Sequence, residues 1–178
     1  MPDVYGFGGI HLPASWLAAL AQSDIRLWLY GFRPFYGAAR ALHLLGMAGF
    51  LGSVFLVDLK LLGLFPRASI GPARSPVLAL MHVSLGLTIA TGIGLFLYDP
   101  IGTGLHTMFL PKLLLLLIGL LHAHGLRRLP ISRERHGLRA SLAAASLGIW
   151  IAVIGCATWN HVERPVTTAE LRRLETRH

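Results

Sequence analysis

Long apolar stretches separated by short polar links dominate the chain from residue 38 onward. Four of them can be read, over residues 38–65, 77–98, 105–126 and 141–161. An α-helix rises about 1.5 Å per residue, so about 20 apolar residues cross the hydrocarbon core of a bilayer. No long run alternates apolar and polar positions, and four strands cannot close a barrel in lipid. The links carry helix breakers: Pro66, Gly71, Pro72 and Pro76; then Asp99, Pro100, Gly102 and Gly104; then Pro130 and Gly137. Short links make successive helices antiparallel neighbours. The pattern therefore predicts an all-α fold, an integral membrane up-down four-helix bundle over residues 38–162.

The segment 1–37 differs. It holds Trp16, Trp28, Tyr30, Phe32, Phe35 and Tyr36, with Asp24, Arg26 and Arg33 among them, and no run long enough to span. Pro13, Ala14 and Ser15 followed by Trp16, Leu17 and Leu20 predict one short amphipathic helix lying in the membrane interface, where aromatic rings are favoured. A basic n-region is missing and the apolar run is too short for a signal peptide. The glycine cluster Gly6, Gly8 and Gly9 follows no predicted strand, so it makes no nucleotide loop. Residues 163–178 form a charged tail.

Composition narrows the function classes. The 178 residues are 54% hydrophobic and 13% charged, and the mean hydropathy is +0.61. A soluble domain carries about 25% charged residues, so an ordinary soluble enzyme, a disordered tail and a nucleic-acid module are all excluded. The net charge of +8 then reads as topology. Lys60, Arg67, Arg74, Arg127, Arg128, Arg133, Arg135 and Arg139 fall at the ends of the first and third stretches or in the links after them. Arg26, Arg33, Arg40, Lys112 and Arg164, with more in the tail, fall on the other side. The link after the third stretch is the densest cluster and is expected to be cytoplasmic, which places both termini outside the cytoplasm of a bacterial inner membrane. The single cysteine, Cys156, excludes an internal disulfide.

Small residues indicate where helices meet. Gly49 and Ser53, with Ala48 and Gly52 beside them, form one set; Ser84, Thr88 and Gly92 form a second; Ala145, Ala152 and Cys156 form a third. Ionisable groups inside spans are costly and attract functional hypotheses. Asp58 and Lys60 lie two apart and face different ways, so they are not partners. Lys60 and Lys112 can snorkel to the interface. Asp58 is expected to pair with a loop arginine such as Arg74 or Arg127.

Histidine is the element of composition that carries chemistry. His43, His106 and His161 fall in one depth layer, and His82, His122 and His124 in the other. His122 and His124 are about 200° apart on a helix, so only one faces the interior. Two imidazole layers match a di-haem b-type cytochrome, with His43 and His106 on the outer haem and His82 and His122 on the inner. Gly46 and Gly86, near His43 and His82, would make room for a porphyrin. The alternative is a copper site of His43, Met47, His106, Met108, Cys156 and His161, because thioether, thiol and imidazole suit Cu(I). The remaining alternative is an accessory membrane protein with no cofactor. No G-x-S-x-G, no H-E-x-x-H and no intramembrane carboxylate pair supports catalysis. The partners expected are the lipid bilayer and a quinone or redox protein, within a homo-oligomer or larger membrane complex, with no nucleic acid.

The runs 24–30 (DIRLWLY), 41–46 (ALHLLG) and 58–63 (DLKLLG) resemble those of a bacterial family of small, uncharacterised four-span membrane proteins. That family is marked by His-x-x-Gly early in the first span and Asp-Leu-Arg-Leu-Leu-Gly at its end; here Lys60 replaces the arginine and keeps the charge. The run 91–96 (TGIGLF) and the pair Phe109 and Lys112 are similar too. The resemblance covers roughly residues 15–126 and implies class and topology, with no activity attached.

Overall fold

A computed structural model describes residues 12–64, 76–128 and 136–162. Among them are seven helices and no strand: α1 (Ala14–Ala21), α2 (Asp24–Gly31), α3 (Phe35–Leu61), α4 (Pro76–Tyr98), α5 (Pro100–Gly104), α6 (Phe109–Arg128) and α7 (His136–Val162). Three stretches are long and apolar enough to cross a membrane: α3, α4 and residues Gly137–Trp159 of α7. The apolar part of α6, Phe109–Ala123, is shorter.

The helix ends have local causes. At the end of α3 the Gly63 N–H donates to the Lys60 carbonyl (3.0 Å) and the Leu64 N–H to the Leu59 carbonyl (3.1 Å). Gly63 sits there at φ +83°. This is a Schellman closure, and it requires the left-handed conformation that glycine adopts without a Cβ clash. After α4, the Asp99 carboxylate accepts from the Gly102 N–H at 2.9 Å and caps α5. The residues expected to open the third span are used by α5 and the turn after it, so α6 starts at Phe109 rather than at Leu105. The N-terminal segment forms two helices where one was expected. Ser23 separates them, its hydroxyl accepting from the Arg26 N–H.

Two antiparallel pairs make up the interior. In the first, α3 packs along α4; in the second, α6 packs along α7; α3 and α7 join the pairs. The α3–α4 contact is close because small residues line it. A methyl placed on Gly46 would lie 2.6 Å from Thr88 Oγ1, and one on Gly49 would meet the Ser84 side chain. Phe50 and Val54 of α3, Met81 of α4, and Trp150 and Val153 of α7 form the buried core. Phe50 and Trp150 meet edge to face, 4.9 Å between centroids, a geometry favoured by the ring quadrupoles. Gly119 of α6 lets the indole of Trp150 approach, with Cζ2 3.0 Å from where a Cβ would stand. Phe96 of α4 stacks on Phe109 of α6 at 5.4 Å.

The outer surface is apolar, unlike that of a soluble domain, and among the described residues four polar side chains lie inside with the apolar core. Ser53, Asp58, Ser84 and Ser146 are buried, while Leu45, Val83, Leu121 and Ile151 are each more than 60% exposed. Beside the C-terminal end of α4, α1 and α2 form a separate layer. Leu17 packs against Gly104, and Tyr30, Phe35 and Tyr36 gather around Tyr98. Trp16 and Trp28 face outward.

Candidate functional site

Two polar groupings lie in the helix interior, at opposite ends of α3. The first is centred on His43. Its Nδ1 is 3.0 Å from the Thr88 carbonyl oxygen and 3.1 Å from Thr91 Oγ1. A carbonyl only accepts, so Nδ1 carries the proton and donates. The Thr91 hydroxyl donates to Leu87 O at 2.6 Å, which leaves its oxygen as a second acceptor for the ring. In the neutral imidazole, Nε2 is then the nitrogen with the lone pair. Gly92 gives the ring its place on α4: a Cβ there would stand 3.0 Å from His43 Cε1. Lys112 of α6 lies within electrostatic range of both His43 and Cys156, and its ammonium lies 5.3 Å from the Phe109 ring centre.

His106, proposed from sequence as the companion of His43, lies half-buried in the turn before α6, at the end where α3 begins. Gly46 does not open a slot beside His43, because Thr88 and Ser84 of α4 fill that face. His82 is exposed on α4, with Nδ1 donating to Leu78 O at 2.7 Å. Gly86, one turn on, faces open space. His122 is half-buried, and its Nε2 donates to Leu142 O of α7 at 3.0 Å. It is therefore the face of α6 bearing His122 that meets α7; the side chain of His124 lies outside the described residues.

Of the copper set, Met47 and Cys156 are half-buried on α3 and α7, Met108 is half-buried before α6, and the side chain of His161 lies outside the described residues. Among the described residues, no three His, Cys, Asp or Glu gather as a metal-holding group.

The second grouping is centred on Asp58, 3% exposed in the last turn of α3. Its partner is Ser146 of α7, whose hydroxyl donates to the carboxyl, and His122 of α6 lies within electrostatic range. The expected loop arginine is not what the described residues bring to it: Arg74 and the side chain of Arg127 lie outside them. Among the described residues, Asp58 Oδ2 and Trp150 Nε1 are buried with no hydrogen-bond partner.

Ser146, Trp150 and Thr91 are residues that sequence reasoning missed, and Thr88 reads from sequence only as a helix contact. A signal existed for two: Ala143, Ser146, Trp150 and Val153 recur at three- and four-residue intervals, one face of α7. The pairing of Thr88 with His43 belongs to the register of α3 on α4 and has no local signature.

No family model, no curated protein and no solved structure matches this chain.

Proposed function

We propose that the chain is a multi-pass protein of the bacterial inner membrane, with α3, α4, α6 and α7 crossing as an up-down four-helix bundle. The observation that carries this is the apolar outer surface: leucine, isoleucine and valine side chains of the long helices stand exposed, while three serines and an aspartate lie inside with the apolar core. In water that surface would aggregate; in lipid the same surface is the solvated one. The 20 residues of α6 give about 30 Å of helix, enough to cross. The layer of α1 and α2 then rests in the interface, with Trp16 and Trp28 at headgroup depth. Both termini lie outside the cytoplasm, as the lysines and arginines after α3 and α6 favour. The resemblance to small four-span membrane proteins supports the same topology; its Asp-Leu-Lys-Leu-Leu-Gly run is the one that closes α3 at Gly63. Retention in the membrane fraction after alkaline carbonate washing tests this reading, and release into the supernatant overturns it.

Within that class the chain reads as an electron carrier rather than a catalyst, with a b-type haem on His43 and His106. One observation favours it. An Nδ1–H held by a backbone carbonyl orients an imidazole and leaves Nε2 to ligate, as metal-bound histidines require. When bound, the haem would supply one-electron redox chemistry, exchanged with a quinone or a redox protein. His82 and His122 receive less support as an inner pair, since one is exposed and the other spends Nε2 on Leu142. A reduced-minus-oxidised spectrum of the purified chain tests the haem. A b-type α-band that disappears in His43→Ala supports it. Its absence after haem-replete expression overturns it in favour of the cofactor-free accessory reading, and metal analysis of the same sample tests copper.

A further inference from the structure

The layer of α1 and α2 is clamped to the bundle, which fixes the side it turns outward. Arg26 Nε donates to the Tyr98 carbonyl at 3.4 Å and Nη1 to Ala21 O at 3.3 Å. The same guanidinium lies 4.9 Å from the Tyr30 ring centre, and Tyr30 stacks on Tyr98 at 5.1 Å. Leu17 and Leu29 are buried on the inner side of the layer. Ile25, Leu27, Trp28 and Phe32 are left outside, each more than half exposed. The eight residues of α2 make about 12 Å of helix, too short to cross a bilayer. Two arginines border this apolar surface. Arg33 follows Phe32, Arg40 stands one turn beyond Tyr36 on α3, and both are exposed. The Tyr36 ring, 5.1 Å from that of Tyr98, ties the start of α3 to the same cluster. Between residues 12 and 40 the charged side chains are Arg26, Arg33, Arg40 and one acid, Asp24. Arg26 is committed to two carbonyls and a ring, so the charge of Arg33 and Arg40 is what this surface offers to a partner.

We propose that the outer side of α2 and the start of α3 form a docking surface for anionic phospholipid. Trp28 and its apolar neighbours enter the glycerol and upper acyl layer, where indole rings are favoured, and Arg33 and Arg40 pair with phosphate oxygens, which a guanidinium can grip with two N–H groups. The length of α3 fits this placement. Its 27 residues span about 40 Å against about 30 Å of hydrocarbon, so its first turns, Arg40 included, can stand at phosphate depth. Charge complementarity selects the occupant. A second copy of the chain would bring the same excess of arginine to the contact, whereas an anionic leaflet neutralises it. The proposal rests on the membrane reading above, adds a lipid class to it, and is independent of any haem.

The test uses the full-length chain with Trp16→Phe and Trp159→Phe, both exposed positions, which leaves Trp28 outside and Trp150 buried. It is placed in nanodiscs of phosphatidylcholine and phosphatidylglycerol in equal parts, with brominated acyl chains on one lipid or the other, and quenching of Trp28 fluorescence is read. Brominated phosphatidylglycerol is expected to quench about two- to fivefold more strongly than brominated phosphatidylcholine. Arg33→Gln with Arg40→Gln is expected to make the two equal, as is high salt. Both arginines are exposed, and the emission of buried Trp150 reports whether the double variant keeps its fold. Equal quenching in the parent, read without any arginine variant, overturns the proposal. So does a preference that survives the double variant, which would belong to the basic links at the opposite end of the bundle. Absence of quenching by either lipid, as when a second copy of the chain covers Trp28, overturns it as well. Release of the chain by alkaline carbonate would overturn the membrane reading itself, whereas equal quenching of a retained chain overturns only the lipid preference.

Discussion

The hydroxyl of Ser146 donates to the carboxyl of Asp58 across the α3–α7 contact, inside the protein and beneath a surface of leucine and isoleucine. This pairing links the two antiparallel helix pairs by a polar contact at one end, as Phe50 and Trp150 link them by an apolar one further along. Removing the Ser146 hydroxyl leaves a buried carboxyl with no donor from α7. Ser146→Ala is expected to destabilise the protein by about 1–3 kcal/mol, read as a lower thermal midpoint in detergent. Ser141→Ala is the control, since Ser141 is exposed and bonds only its own helix, at Gly137 O.

The α3–α4 contact predicts a sharper contrast between two glycines of the same helix. A Cβ at Gly46 would come within 3.0 Å of the Thr88 backbone nitrogen and 3.1 Å of Ser84 O, atoms that cannot swing aside. Gly46→Ala is expected to cost about 1–3 kcal/mol and to disturb the His43–Thr88 hydrogen bond. Gly52→Ala has nothing within 4 Å and is expected to be neutral or slightly stabilising through helix propensity. Unfolding of the two variants side by side in one detergent measures the difference.

Trp150 and Trp159 lie two and a half turns apart on α7 and have opposite surroundings. Trp150 is 1% exposed and Trp159 60%. Trp150→Ala is expected to cost about 3–5 kcal/mol through loss of core contacts and the cavity left behind. Trp159→Ala stays within about 0.5 kcal/mol. The same unfolding assay decides, and equal effects would contradict the packing of α7 on α3.

Gly63 closes α3 at φ +83°. A side chain there is strained by roughly 1–2 kcal/mol, so Gly63→Ala should lower the thermal midpoint although no neighbour lies within 4 Å of the new Cβ. Gly63→Asn should lower it less, because asparagine tolerates the left-handed region. If both variants match the parent, the Schellman closure is not contributing.

Much of the helical layout was legible because lipid-length apolar runs leave a strong mark. The stretches read at 77–98 and 141–161 correspond to α4 and to the apolar part of α7. The errors fall where local chemistry intervenes. Asp99 and Pro100 read as a break, yet a capping aspartate followed by a proline at the first helical position starts α5 and moves α6 to Phe109. Ser23 followed by Asp24 is a helix start that the aromatic pattern obscured, and α2 follows from it.

The interior sites were legible only by half. Sorting by depth singled out His43, but its partners Thr88 and Thr91 depend on the stagger of α4, which no local pattern encodes. Asp58 stood out as a charge in an apolar run, and a loop arginine was the natural partner to expect. Among the described residues its partner is a serine of α7, because α3 and α7 meet there, and helix adjacency is a tertiary fact; Arg74 and the Arg127 side chain lie outside them. Trp150 looked like one more aromatic residue until its ring was seen between Phe50 and Gly119.

The membrane topology is tested most directly by thiol labelling in intact cells. Single cysteines are placed in a Cys156→Ser background at Leu64, Ile101, Leu121 and Ile151, all exposed on the protein surface. The account predicts that Ile101→Cys reacts with a membrane-impermeant maleimide from outside. It predicts that Leu64→Cys reacts only after the membrane is opened, and that Leu121→Cys and Ile151→Cys resist labelling in both conditions because lipid covers them. Rapid labelling of positions 121 and 151 in the native protein after the membrane is opened would contradict it.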